Sequence, residues 1–438
     1  MEFQAELAHT LDRVPSDLNQ LSTLIDPAWI EQTLQATGKA SIRRRKLPAE
    51  QVMWLVIGLA LFRNLPIWHV VHQLNLTLGG EPLSAPSTAI QARQRLGDEP
   101  LAHLFRQLAQ HWAAPHAATR AELHGLALLA VDGVVWSAPD TPANRLELGG
   151  CANQYGEGSW PQIRAVCLMD THSHELLDAQ IGSMTQGELT LAGDLQAPDQ
   201  SLTIFDRAYF SAAFLLRWQT QGQARHWLMR AKDNLRHEVI ATHAPGDMSI
   251  RMPISQRARQ LNPALPEHWH ARLIEVELAG VTRRFITSLS DSQRYPARAL
   301  AQLYRQRWEI ELGFREIKQS LQGGRFVLRS KQPALVRQEL WGVLIAYTLL
   351  RRQMRLMAER IKVEPLRMGF HSASIAIIDV LRHAPLVSAA RYPNAWLHYS
   401  SRPTCSSCLP DAKIAPFPES SNPVRASIPG KNASQRLN

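Results

Sequence analysis

The sequence predicts an α/β core, interrupted by a mostly β insertion and flanked by helices on both sides. Three observations carry that expectation. Residues 1–120 hold apolar runs at helical spacing. From residue 125 the texture changes to short apolar runs, two of which run into an aspartate. Residues 233–294 then alternate, as in "HARLIEVELAG" and "TRRFITSLS", before helical periodicity returns.

The N-terminal part contains "DPAWIEQTLQAT", which has helical spacing, and Pro48 stands where a helix would start in "SIRRRKLPAEQVMWLVIGLALFRN". The apolar stretch at 52–62 is about half a membrane span in length, which favours a buried helix. Ser87 is placed to cap "STAIQARQRLG", a short basic helix with Arg93 and Arg95 that Gly97 closes. Short helices ending in a basic one fit either a helix-turn-helix DNA reader or a helical domain with solvated cations.

"GLALLAVDGVVW" and "SLTIFDRAYF" look like buried strands that end on Asp132 and Asp206. The two runs of 161–182 read as strands around the turn "DTHSH", whose His172 and His174 are expected in solvent. A helix follows at "SAAFLLRWQTQG" and a strand at "RHWLMRAK". Pro296 can open a long helix over 296–322, and Gly323 and Gly324 can close it. Apolar helices continue to 395, and the Ser- and Pro-rich remainder, 396–438, is expected to be a disordered tail. The segments are therefore 1–120 helical, 121–232 with 286–330 the α/β core, 233–285 the insertion, and 331–395 helical again.

At 438 residues the chain has room for two to four domains of about 150 residues each. A formal net charge of +10 favours a polyanionic partner, nucleic acid before a membrane surface, and says nothing of fold. Four cysteines make no disulfide framework, and the N-terminus "MEFQAELAHTLDRV" is acidic and polar rather than a secretory signal. Both fit a cytoplasmic location. Cys405 and Cys408 have metal-ligand spacing but lack two further ligands.

A charged group at the end of a buried strand is costly unless it is paired or bound to metal, and open α/β sheets place ligands beyond their strand ends. Taken singly, Asp132 and Asp206 could each simply open a turn. A third acid comes from "YRQRWEIELGFREIKQSL" (304–321). On a wheel of about 100° per residue, Tyr304, Arg307, Glu311 and Lys318 fall within about 60° of one another, beside the apolar stripe, while Glu309 and Glu316 fall on the far, solvated side. An i, i+4 ladder through Arg307, Glu311 and Arg315 would explain the charges at about 0.2–0.5 kcal/mol per pair, but not the placing of Tyr304 and Lys318. Three carboxylates suit Mg²⁺ or Mn²⁺, and a pair of such ions suits phosphodiester chemistry. Arg307 and Lys318 would then grip phosphate. Arg230 and Lys232, after a core strand, could touch phosphate or be surface cations.

The spacing Tyr, two residues, Arg, three residues, Glu, six residues, Lys is met by Tyr304, Arg307, Glu311 and Lys318. It resembles the signature of the DDE transposases of bacterial insertion sequences, in particular the insertion-sequence-four family. "AVDGVVWSAPDTPAN" and "TIFDRAYFS" resemble that family's two aspartate regions, and the likeness covers roughly 20–395. The resemblance implies an RNase H-like catalytic core with its β insertion between Asp206 and Glu311, and a helical DNA-binding domain over 1–120. It implies Asp132, Asp206 and Glu311 as catalytic metal ligands for two Mg²⁺ or Mn²⁺ ions. Tyr304, Arg307 and Lys318 become DNA contacts. DNA partners would be the terminal inverted repeats and target DNA, met by a homodimer in a synaptic complex, in the bacterial cytoplasm at the nucleoid. Some members form a DNA hairpin with a flipped base stacked on an aromatic residue; Trp227, Trp269 and Phe285 are the candidates for it here. The competing expectations are a decayed or domesticated DNA-binding repressor and a metal nuclease without strand transfer.

Overall fold

Nine strands among the described residues join in one sheet: β1 (Ala127–Ser137), β2 (Gln162–Asp170), β3 (Leu176–Ser183), β4 (Ser201–Phe205), β5 (Arg225–Arg230), β6 (Glu238–Ala244), β7 (Asp247–Pro253), β8 (His268–Leu278) and β9 (Val281–Thr287). Their spatial order is β6-β7-β8-β9-β5-β4-β1-β2-β3. The computed structural model of the chain describes residues 24–40, 47–74, 76–78, 81–82, 85–112, 123–150, 152–153, 156–157, 160–324 and 327–383. The tail with Cys405 and Cys408 lies outside them.

Strands β1, β4 and β5 run parallel to one another, and every other pairing is antiparallel. All five residues of β4, "SLTIF", are buried, as an unbroken apolar run demands when both faces of a central strand are covered. Residues 238–287 supply β6–β9, which extend the same sheet beyond β5. At the far edge every residue of β6 is exposed, and two register shifts against β7 disrupt that edge as a template for further pairing.

The N-terminal helices are α1 (Pro27–Ala36), α2 (Ala49–Leu61), α3 (Ile67–Gln73), α4 (Pro86–Leu96) and α5 (Glu99–Trp112). Short helices α6 (Pro142–Leu148), α7 (Glu188–Ala192), α8 (Ala212–Thr220) and α9 (Gln256–Leu261) connect or cover strands. The sequence from 52 to 61 forms the buried centre of α2, as its apolar run suggested. It lies against α12 (Pro333–Ile361) so closely that a Cβ at Gly342 would stand 2.9 Å from the carbonyl oxygen of Val56. The two helical ends of the chain thus share one apolar core. No helix among the described residues is long and apolar enough to cross a membrane.

Two expectations for α4 change. Pro86 occupies its first turn and Ala85 the cap position, so Ser87 is not the cap. Arg93 is not a surface cation: its guanidinium is buried on α12, donating to Gln338 Oε1 at 2.8 Å and Ser330 Oγ at 3.2 Å. Nearby, Arg63 donates to Glu339 at 2.7 Å, with both side chains buried. Removing one member of such a pair costs about 3–5 kcal/mol, because the other charge is left stranded.

The segment 296–322 is not one uniform helix. It runs as α10 (Ala297–Leu303), a 3₁₀ turn (Tyr304–Arg307), α11 (Trp308–Arg315) and a π-helical stretch (Glu316–Leu321). Gly323 and Gly324 close it at φ of 62° and 73°. A 3₁₀ turn advances about 120° per residue and a π turn less than an α turn, so a single helical wheel misplaces side chains on either side of α11. A last helix, α13 (Phe370–His383), packs against α12 and the π-helical stretch.

Candidate active site

The parallel ladder between β1 and β4 ends at Val131 opposite Phe205, and that between β4 and β5 ends at Phe205 opposite Met229. The next residues are Asp132, Asp206 and Arg230. Register therefore sets two acids and a base at one level of three neighbouring strands, at an inter-strand spacing of about 4.8 Å. β1 itself does not end at Asp132, and "DG" makes no turn there: β1 stays paired with β2 from Leu129 to Ser137. What ends is its neighbour β4, and the vacated edge opens Asp132 to the site.

Burial raises the pKa of Asp132 to about 6; the Gly133 N–H, at 2.8 Å, and Arg307 oppose the rise, while Glu311 and Glu188 add to it. Asp206 accepts from the N–H of Arg207 and caps the 3₁₀ turn Arg207–Tyr209. Arg307 stands among the acids. Its Nη1 lies 2.8 Å from Glu311 Oε1 and 3.8 Å from Asp132 Oδ2. Burial works against its charge, but Tyr304, Glu311 and Asp206 outweigh it. Asp132, Glu311 and Lys318 line one open pocket of 430 Å³. Half-burial lowers the pKa of Lys318, whose ammonium lies 5.5 Å from the centre of the Trp136 ring.

Tyr304 is placed otherwise than as an open DNA contact. Its hydroxyl donates to the Phe205 carbonyl at 3.3 Å and faces the backbone of Arg230, bridging the ends of β4 and β5. Burial first of all lifts its pKa to about 12. Arg230 is exposed, and the Lys232 ammonium lies 4.8 Å over the Phe210 ring. Trp227, Trp269 and Phe285 are buried, at 1%, 3% and 3% exposure, and present no face to a base. Trp308 is 42% exposed, with the Arg307 guanidinium 4.7 Å over its ring.

Four residues were misjudged or missed. Glu309 and Glu316 are not on a solvated face, and His174 is buried: the imidazole meets Glu309 at 2.9 Å and Glu316 at 3.4 Å, and Glu316 also pairs with Arg351. Glu188, at the start of α7, pairs with Arg164 at 3.4 Å and lies against Gly133, where a Cβ would come within 2.7 Å of its carboxyl carbon. "QGELT" signals a helix start and no chemistry.

A transposase DDE domain model matches residues 124–349, and an insertion element 4 transposase N-terminal model matches 15–106. The transposase InsG of insertion sequence element IS4 from Escherichia coli K12 is 38% identical over 394 residues, 89% of this chain and 88% of its own length. This chain belongs to the insertion-element-4 family of DDE transposases. InsZ of the same strain is 39% identical over 234 residues, covering 51% of this chain and 76% of its own. A cryo-EM structure of the piggyBac transposase synaptic complex with hairpin DNA aligns with 94% of this chain and 89% of its own at 8% identity and a TM-score of 0.43.

The chain is therefore a transposase, an enzyme acting on DNA, and its family implies use of a divalent metal ion. The donors suit one: the site offers carboxylate oxygens, the ligands that hard cations take. Among the described residues no three His, Cys, Asp or Glu side chains stand together as a finished metal cage. Mg²⁺ does not need one, since it binds through one or two carboxylates plus substrate phosphates and waters.

Proposed function

We propose that this transposase cuts the ends of its insertion sequence and joins them to target DNA through two Mg²⁺ or Mn²⁺ ions held by Asp132, Asp206 and Glu311. The observation that carries the reading is the shared level of Asp132 and Asp206 at the end of the β1–β4 ladder, with Arg307 joining Asp132 to Glu311 from the helical segment. The strand order β3-β2-β1-β4-β5, with β1–β3 antiparallel and β4 and β5 parallel to β1, supports an RNase H-like core carrying β6–β9 as its insertion.

Bound ions would neutralise the scissile phosphate and favour the attacking oxygen. The chain's own groups do the rest. Arg307 offers the phosphate a two-pronged donor, and Lys318 a point charge at the pocket wall. Arg307, whose ion pairs hold Asp132 and Glu311 together, would exchange those carboxylates for the phosphate. Arg230 and Lys232 extend the cationic rim beyond β5, and Tyr304 keeps the strand ends in register. The helical segment 1–120 serves as the DNA-binding domain, and two copies meet in the synaptic complex.

Incubation of the protein with the element's own end DNA and Mg²⁺ tests this. Asp132→Asn, Asp206→Asn and Glu311→Gln should each lower end cleavage by about 10³-fold or more while end binding stays within about threefold. Cleavage retained by any one variant removes that residue from the site. Cutting without joined product, given pre-cut ends and a target plasmid, would leave a nuclease.

A further inference from the structure

His174 and the residues around it are not explained by the site just described. The side chain is 2% exposed, and its backbone has φ of 60°, a left-handed conformation that non-glycine residues seldom adopt. Strain of this kind persists only where the surroundings impose it, and it gathers at functional positions. The imposing contacts are visible. Asp170 Oδ1 accepts from the N–H groups of His172 and Ser173, and the Asp170 carbonyl accepts from His174 N–H at 2.9 Å. Thr171, in the same turn, donates through both its N–H and its hydroxyl to the Leu128 carbonyl. Leu128 lies on β1, the strand that carries Asp132. The turn is thus fastened to one wall of the site.

Its imidazole reaches the opposite wall. Nε2 lies 2.9 Å from Glu309 and Nδ1 3.4 Å from Glu316. Glu309 stands two residues before Glu311, and Glu316 two residues before Lys318. From α12, Arg351 donates through Nε to Glu316 at 3.0 Å and again through Nη2, which also lies 3.2 Å from His174 Nδ1. The Tyr347 hydroxyl donates to Glu316 at 2.8 Å. Burial alone would raise the pKa of Glu316, yet Arg351 and His174 hold it down to about 2. Nε2 is within hydrogen-bond reach of Glu309 and Nδ1 of Arg351 and Glu316, so each nitrogen has a partner. The π-helical stretch that carries Lys318 begins at Glu316, and π turns are frequent at functional sites.

We propose that His174 is a positioning residue: with Arg351 it clamps Glu309 and Glu316, and so fixes where Glu311 and Lys318 point relative to Asp132. It touches neither DNA nor metal and acts through the helical segment. Acids supplied by different elements hold a useful separation only if something ties those elements together, and a misplacement of about 1 Å can cost about 10²-fold in rate. His174 is one such tie between β1 and the segment 304–321, beside the ion pairs of Arg307.

The inference rests on the reading of Glu311 as catalytic, and its test separates the two. His174→Gly removes the imidazole and relieves the left-handed strain. The rate of end cleavage per bound complex, in a single turnover with Mg²⁺, should fall by about 10²-fold while affinity for end DNA stays within about threefold. His174→Asn, which tolerates the same backbone conformation and keeps one polar reach, should recover about tenfold of that loss, and it also serves if the glycine variant fails to fold. A purely structural histidine predicts otherwise: a lower melting temperature with an unchanged rate per bound complex, and that result overturns the clamp. Glu311→Gln runs alongside. If it cleaves, the site reading itself has failed. If it is inert while both His174 variants cut at the wild-type rate, only the clamp has failed.

Discussion

At the scale of single residues, Tyr304 shows how a partner changes a role. Its position in the Tyr-Arg-Glu-Lys spacing suggested a phosphate contact, but its hydroxyl is engaged with the Phe205 carbonyl and its ring packs on Phe285 at 5.1 Å. Tyr304→Phe keeps the ring and deletes one hydrogen bond, so it should lower stability by about 1 kcal/mol and leave affinity for end DNA within about twofold. A tenfold loss of affinity, measured by titration of end DNA, would return Tyr304 to the DNA. The placing of the three proposed acids was legible. Asp132 and Asp206 follow buried runs, and Glu311 sits beside an apolar stripe, because burial pattern reports which face a residue takes. Pattern does not report the partner on that face. Hence the surroundings of Tyr304, Glu316 and His174, set by contacts across 99, 35 and 142 positions of the chain, were not legible.

Among elements, strands and helices followed their periods, and the departures have physical causes. β1 continues past Asp132 because β2 pairs with it from Leu129 to Ser137, a fact that no local turn signal contains. The segment 304–321 leaves α geometry on both sides of Glu311 because buried partners pull on it: Tyr304 is drawn to β4, and Glu316 to Arg351, Tyr347 and His174. The second pull can be measured. The folded pKa of Glu316, about 2, lies below its ordinary value of 4.5. For a depressed acid, the stabilising contribution is fully present above the unfolded value and is lost as pH falls toward the folded one. At pH 7 Glu316→Gln should therefore be less stable than wild type by about 3 kcal/mol, since Arg351 is left without its counter-charge. Most of that difference should vanish between pH 5 and pH 3. Urea unfolding of both proteins at the two pH values decides it, and a gap that is the same at pH 3 rules out the charge as its origin.

For the whole molecule, the feature hidden from sequence was the joining of its helical ends. Arg93 and Gln338 are 245 positions apart, yet the two side chains share a hydrogen bond in the core. A basic residue on a short helix gives no sign of whether it faces DNA or another helix. On α4 the structure separates the two cases two residues apart: Arg93 is buried against α12, and Arg95 is exposed. In a chain of net charge +10, end binding should weaken steeply with salt, and each phosphate contact contributes about 0.9 to the slope of log K against log salt. Arg93→Ala should leave that slope unchanged and lower the melting temperature by several degrees, because it strips partners from Gln338, Ser330 and the Leu335 carbonyl. Arg95→Ala should do the reverse if α4 lies along DNA: a slope shallower by about 0.9, with melting unaffected. A shallower slope for Arg93→Ala at unchanged melting temperature would mean that α4 turns outward when DNA binds, and the shared core of the two helical ends would then have to open.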